Sequence, residues 1–150
     1  MAKDCCDSRR VFLKVLGGSV AAAPLLACSS AVPEPDAVGQ VDAGLASSYP
    51  VGSLEAVGTL AVAVGHDQAG FYALTLTCTH EGCNIATRGA VSGAGIACGC
   101  HGASFDANGH VRGGPARGDL THFAVKIDAA TGAVTVDGNS RVAADVRTPA

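Results

Sequence analysis

Two short boxes of cysteine and histidine constrain this chain more than anything else in it. The first is Cys78-Thr79-His80-Glu81-Gly82-Cys83 and the second is Cys98-Gly99-Cys100-His101-Gly102. Thiolates suit iron–sulfur and zinc chemistry, and imidazole suits iron and zinc. If both boxes serve one metal centre, the fold must bring two loops, separated in sequence, face to face. Tetrahedral zinc on two Cys and two His is one reading. Zinc sites, however, favour knuckles with two or more residues between ligands, whereas Thr79 alone separates Cys78 from His80. Each box also carries a further cysteine, Cys83 or Cys100, that a zinc module does not need. The boxes favour a 2Fe–2S centre in which two His replace two Cys on one iron, with Cys78, His80, Cys98 and His101 as candidate ligands. Cys83 and Cys100 are left as a pair open to two readings, a disulfide or buried free thiols.

At 150 residues the chain has room for one ordinary domain plus a tail. It has no Trp, 4% aromatic residues and 20 Gly, a composition too poor in aromatic bulk and too rich in turns to rely on a large core. Such a domain usually needs a staple or a metal. The formal net charge of −3 is spread without runs, so there is no basic face and nucleic acid is excluded as a partner.

The N-terminal segment reads as an address. Ser8-Arg9-Arg10-Val11-Phe12-Leu13-Lys14 precedes an apolar stretch from Val15 to Ala27, the layout of a bacterial export signal. The segment resembles the twin-arginine class through Arg9, Arg10, the following Phe-Leu and the Lys. That route carries proteins already folded around a cofactor. Leu25-Leu26-Ala27-Cys28 resembles a lipobox, which implies cleavage before Cys28 and a lipid on its thiol; several acyl chains anchor stably where one does not. An uncleaved membrane helix is the competing reading, but the apolar stretch is short and carries glycines and a Pro.

Residues 1–27 are therefore expected to be a signal peptide and residues 28–49 a flexible linker rich in Ala, Ser, Pro, Gly and Asp. Residues 50–138 are expected to form the domain and residues 139–150 a tail. Thr59–Val64 alternates weakly, and Phe71–Leu76 is a strand-like run that leads into Cys78. His122–Ile127 and Ala133–Val136, separated by Asp128-Ala129-Ala130-Thr131-Gly132, read as a hairpin. No stretch after residue 50 has helical periodicity. The expected fold is all-β and antiparallel. His66, His110 and His122 are read as packing or surface residues, and Tyr72 and Phe123 as core.

From about residue 50 to 138 the chain resembles a Rieske domain of the kind found in quinol–cytochrome c oxidoreductases. The family's first box, Cys-Thr-His-x-Gly-Cys, matches residues 78–83, and its second, Cys-x-Cys-His-Gly, matches residues 98–102. The resemblance implies an antiparallel β-sandwich with a small subdomain of two cluster-binding loops. It implies that Cys78 and Cys98 bind the inner iron, that His80 and His101 bind the outer iron near solvent, and that Cys83 and Cys100 form a disulfide between the loops. Gly113-Gly114-Pro115-Ala116 resembles the family's Gly-Pro-Ala loop, which places Gly114 and Pro115 over a third side. The chain departs from high-potential members at Ala103 and Phe105, where those carry Ser and Tyr hydroxyls that donate to cluster sulfur. Gly99 also stands where a Pro is common.

The function this implies is one-electron transfer by an exported, lipid-anchored carrier facing the periplasm, with redox proteins as partners. Two alternatives remain open. One is the Rieske subunit of a quinol–cytochrome oxidoreductase complex. The other is the small electron-transfer subunit of a larger periplasmic oxidase similar to arsenite oxidase. The chain carries no substrate chemistry of its own in the leading reading. It is too short for a Rieske oxygenase with a mononuclear-iron domain.

Overall fold

The computed structural model describes residues 39–150, which fall within the compact unit Val32–Ala150. Arg9, Arg10 and Cys28 lie outside the described residues. In chain order the strands are β1 (Gln40–Leu45), β2 (Ser53–Ala56), β3 (Val62–Asp67), β4 (Gly70–Thr75), β5 (Gly89–Ser92), β6 (Gly95–Cys98), β7 (Ser104–Phe105), β8 (Val111–Gly113), β9 (His122–Ile127) and β10 (Ala133–Val142). A 3-10 turn spans Ala46–Ser48 between β1 and β2, and one short α-helix, α1 (Ile85–Arg88), lies between β4 and β5. Its N-cap is Asn84, whose side chain accepts from the Ala86 amide. No helix among the described residues is long and apolar enough to cross a membrane.

The strands form two antiparallel sheets. The larger has the order β1-β10-β9-β4-β3-β2 and the smaller the order β5-β6-β7-β8. The smaller sheet is inserted in sequence between β4 and β9. Those two strands pair directly, Ala73 opposite Phe123 and Leu74 opposite His122, so the insertion leaves and rejoins the large sheet at neighbouring strands.

Period-2 alternation distributes each strand between two cores. Strand β4 is buried at every position. Phe71 and Ala73 point into a core within the large sheet with Val62, Val64, Phe123, Val134 and Val136. Tyr72 and Leu74 point the other way, with Leu76, into a core shared with Ile85, Ile96, Ala103, Phe105, Cys78 and Cys98. The second core packs the small sheet onto the large one and places the two box cysteines at its margin. The hairpin expected around Asp128–Gly132 is present. Asp128 Oδ1 accepts from the Ala130 and Thr131 amides and the Thr131 hydroxyl.

Two expected boundaries are corrected. Residues 40–49 are not linker. Strand β1 pairs with β10, Val41 opposite Val136, and buries Val41 and Ala43. Tyr49 is buried too, and its hydroxyl donates to the Ala43 carbonyl at 2.6 Å. The alternation there is short and uses small residues, so its composition resembles a tether. Residues 139–150 are not a free tail either. Strand β10 continues to Val142 past an irregularity between Asp137 and Arg141 that interrupts its alternation. Beyond it, Thr148 exchanges both backbone hydrogen bonds with Phe71, at 2.8 and 2.9 Å. The Thr148 hydroxyl also donates to the Val125 carbonyl.

Candidate metal centre

The first box follows β4 and the second follows β6, and both fold into the same hydrogen-bond frame. In the first, the Cys78 amide donates to the Cys83 carbonyl at 2.9 Å and the Gly82 amide to the Cys78 carbonyl at 2.8 Å. In the second, the Cys98 amide donates to the Ala103 carbonyl at 2.8 Å and the Gly102 amide to the Cys98 carbonyl at 3.1 Å. Each turn closes through a glycine in the left-handed region, Gly82 at φ 71° and Gly102 at φ 76°. The two loops therefore superpose residue on residue: Cys78 corresponds to Cys98 and Glu81 to His101. Gly99 N–H donates to the Arg88 carbonyl at 2.8 Å, a bond that a proline at this position could not make.

This frame sorts the donors by depth. Cys78 and Cys98 are 3% and 2% exposed, whereas the His80 and His101 side chains are 18% and 50% exposed. The two imidazoles turn their Nδ1 atoms toward each other at 3.3 Å, with their rings nearly perpendicular. Two nitrogens bound at about 2.1 Å to one tetrahedral metal stand about 3.4 Å apart, so this pair is spaced to share an ion. Burial raises the Cys78 thiol pKa. The His80 and Glu81 amides, which donate toward its sulfur, oppose that rise, and the neighbouring Cys98 adds to it. A thiolate here needs a cation to neutralise it, and amides already point where negative charge would sit. Two buried thiols beneath two outward imidazoles fit a 2Fe–2S centre with one sulfur-ligated and one nitrogen-ligated iron.

Cys83 and Cys100 are joined in a disulfide with a Cα–Cα separation of 6.7 Å. The bridge crosses from one loop to the other. Its sulfurs lie within 4.8 Å of the Cys98 sulfur. A third loop approaches the second box at Gly114. A Cβ on Gly114, at φ 78°, would collide with the Gly102 carbonyl oxygen and Ala103 Cα, so only glycine permits this approach. The Thr79 hydroxyl donates to the Gly118 carbonyl at 2.7 Å and ties the first box to the same loop. Ala103 and Phe105 are buried beside Cys78 and Cys98, while Ser104 lies on the other face of β7, opposite Gly113.

The three remaining histidines are placed elsewhere. His66 stacks on Phe71 with its Nδ1 2.7 Å from the Tyr49 carbonyl. His110 binds Asp119 at 2.8 Å. His122 is buried, its Nε2 has no hydrogen-bond partner, and burial lowers its pKa. Two residues at the site have roles that the boxes did not reveal. Thr79 is one. The other is Glu81, whose carboxylate oxygens lie 3.9 Å from His80 Nε2 and 3.8 Å from His101 Nε2. The correspondence of the loops explains the second, because Glu81 occupies the position that His101 occupies in its own box.

No curated protein matches the sequence. Among solved structures, the chain is 28% identical to a chain from the complex of reduced oxygenase and oxidized ferredoxin in carbazole 1,9a-dioxygenase. That match covers 69% of this chain and 96% of that one at a TM-score of 0.50. It is 27% identical to the cyanobacterial plasma membrane Rieske protein of Synechocystis PCC 6803, covering 64% of this chain and 97% of that one at a TM-score of 0.47. The Rieske [2Fe-2S] domain family matches residues 39–124, from β1 through the first residues of β9 and across both boxes. With this donor set inside that match, the chain belongs to the Rieske [2Fe-2S] domain family and its cofactor is a Rieske 2Fe–2S cluster.

Proposed function

We propose that this protein is a one-electron carrier of the bacterial cell envelope, exported folded by the twin-arginine route and anchored by lipid at Cys28. Cys78 and Cys98 bind the inner iron, and His80 and His101 bind the outer iron. The observation that supports the ligation is the pairing of the two Nδ1 atoms at 3.3 Å above two buried cysteines, and the export and anchoring rest on Arg9, Arg10 and Cys28 in the sequence. A bound cluster of this type supplies reversible one-electron chemistry at potentials between about −150 and +300 mV. The chain contributes the rest. The His80 and Glu81 amides favour negative charge on the Cys78 sulfur. The disulfide and the loop at Gly114 hold the two boxes against each other. The outward imidazoles are the place where a partner makes contact. Similarity to a chain from an oxygenase–ferredoxin complex supports hand-off to a larger oxidoreductase.

EPR of the dithionite-reduced full-length protein tests this. The expected spectrum is a rhombic signal with a lower average g than an all-cysteine cluster gives. Replacing Cys78, His80, Cys98 or His101 abolishes it, and replacing His66 or His110 leaves it. Stoichiometric zinc in place of iron overturns the cofactor reading. The address is tested separately: Cys28→Ala abolishes labelling by palmitate, and lysines at Arg9 and Arg10 strand the precursor. Purification from native membranes discriminates among partners. A tight complex with a b-type cytochrome indicates the quinol-oxidising alternative, and one with a molybdenum subunit the oxidase alternative.

A further inference from the structure

The imidazole edge is not neutral ground. Glu81 is 60% exposed and sets its two carboxylate oxygens 3.9 and 3.8 Å from the Nε2 atoms of His80 and His101. Among the described residues no Lys or Arg lies against its carboxylate, whose near neighbours are those two imidazoles. Arg112 is engaged by Asp106 at 3.0 Å, and Arg147 by Asp67. Any partner that closes over the two Nε2 atoms must cover this carboxylate and strip its water. Burying an ionised carboxylate without a matching cation is strongly unfavourable. An apolar pocket would meet that penalty in full. A surface that offers Lys or Arg offsets it and is also drawn in over a distance.

We infer that the His80–His101 edge with Glu81 is a docking site for a redox protein whose contact surface is basic, and that Glu81 selects for that charge against an apolar, quinol-type pocket. This rests on the cluster ligation proposed above. The site is small, and its selectivity comes from one charge placed between the two imidazoles that lead to the metal.

The test compares the full-length protein with Glu81→Gln, which keeps the side chain's shape and removes its charge. Reduced protein is oxidised by tris(phenanthroline)cobalt(III), a cation, and by ferricyanide, an anion. Each takes one electron, giving cobalt(II) or ferrocyanide. At about 10 mM ionic strength the substitution is expected to slow the cationic oxidant and speed the anionic one, each by about fivefold, and the difference should vanish near 1 M salt. A change in cluster potential would move both rates the same way, so the ratio isolates the surface charge. Asp42→Asn, on the edge strand β1 of the large sheet, should leave the ratio unchanged. Binding gives a second readout without electron transfer. The dissociation constant for a lysine-rich cytochrome c with zinc in place of its iron should weaken severalfold in Glu81→Gln. A normal EPR spectrum with an unchanged rate ratio, or tighter binding of the zinc cytochrome, overturns the inference. Absence of the EPR spectrum in the unmodified protein overturns the ligation reading instead, and this inference with it.

Discussion

Ala103 and Phe105 lie within the core that holds Cys78 and Cys98, and the family resemblance implies hydroxyl donors at these positions in high-potential members. Neither side chain can donate, and the Ser104 hydroxyl lies on the opposite face toward Gly113. Hydrogen bonds to charged acceptors contribute roughly 1.5–3 kcal/mol. Only the difference between oxidation states enters a potential, so about 1 kcal/mol for each donor is a fair estimate, or on the order of 40 mV for a one-electron couple. Ala103→Ser and Phe105→Tyr should each raise the potential by that order, and together by nearly 100 mV. Protein-film voltammetry of the single and double variants checks this; a falling potential would place the hydroxyls away from the cluster sulfurs. The candidate metal donors were legible as a pattern because ligand chemistry demands specific atoms at short spacings, whereas the Cys83–Cys100 bridge came only from the family resemblance and is present in the fold. Glu81 was not legible as a contact of the imidazoles. Its position follows from the shared hydrogen-bond frame of the loops, and backbone pairing leaves no signature in side-chain identity.

The connection from β7 to β9, which includes β8 and the loop at Gly114, is braced by the His110–Asp119 pair beside that of Arg112 and Asp106. Asp119 accepts from the Val111 amide through Oδ1 and meets His110 through Oδ2, both at 2.8 Å. The bond to Asp119 holds the His110 pKa above the ordinary imidazole range, and the same bond to His110 holds the Asp119 carboxyl below the ordinary carboxylate range. The His110 contribution is complete below the unfolded imidazole value and fades as pH rises through the raised folded value. The Asp119 contribution is complete above the unfolded carboxylate value and fades as pH falls through the lowered folded value. The brace is therefore strongest between about pH 4 and 6.5. Asp119→Asn should bring the His110 pKa down toward that of a free imidazole, which NMR titration of the ring proton reads directly. The C-terminal segment carries a second brace. Arg147 bonds Asp67 at 2.6 Å and Asn108 at 2.8 Å, and its guanidinium lies 4.2 Å over the Tyr72 ring. It thus links the β3–β4 hairpin to the loop between β7 and β8. Arg147→Ala should cost roughly 1–3 kcal/mol in chemical denaturation, since a charge-assisted bond and a cation–π contact go together. Both braces eluded the sequence because their partners are far apart in the chain and the polar residues involved look like ordinary surface. Strand β1 eluded it for a related reason: it is fixed by its ladder to β10, and Val41 and Ala43 are too small to announce a core.

At the scale of the molecule, the all-β antiparallel class and the late hairpin were readable from alternation, while the closure of the large sheet by β1 and the C-terminal segment was not. The disulfide joins two loops that also meet through His80, Glu81 and His101 and through the loop at Gly114, so it should govern persistence of a bound cluster more than its assembly. Cys83→Ser should yield protein that still acquires the EPR signal but loses it faster on incubation with a chelator. Equal decay in the two proteins would show that the loops are held without the bridge. The way the small sheet is inserted has a wider consequence. Its two ends leave the large sheet at strands that are already paired, Ala73 with Phe123 and Leu74 with His122. Everything between them is therefore an insertion that enters and leaves at one place in the sheet and packs back on it through the core of Tyr72, Leu74, Ile96 and Phe105. A loop in the insertion can be lengthened, or a hydroxyl exchanged for a methyl, without re-registering the β4–β9 pairing beneath it. In this architecture the groups proposed to set the potential and meet the partner lie within the insertion, and the register of the large sheet is fixed outside it.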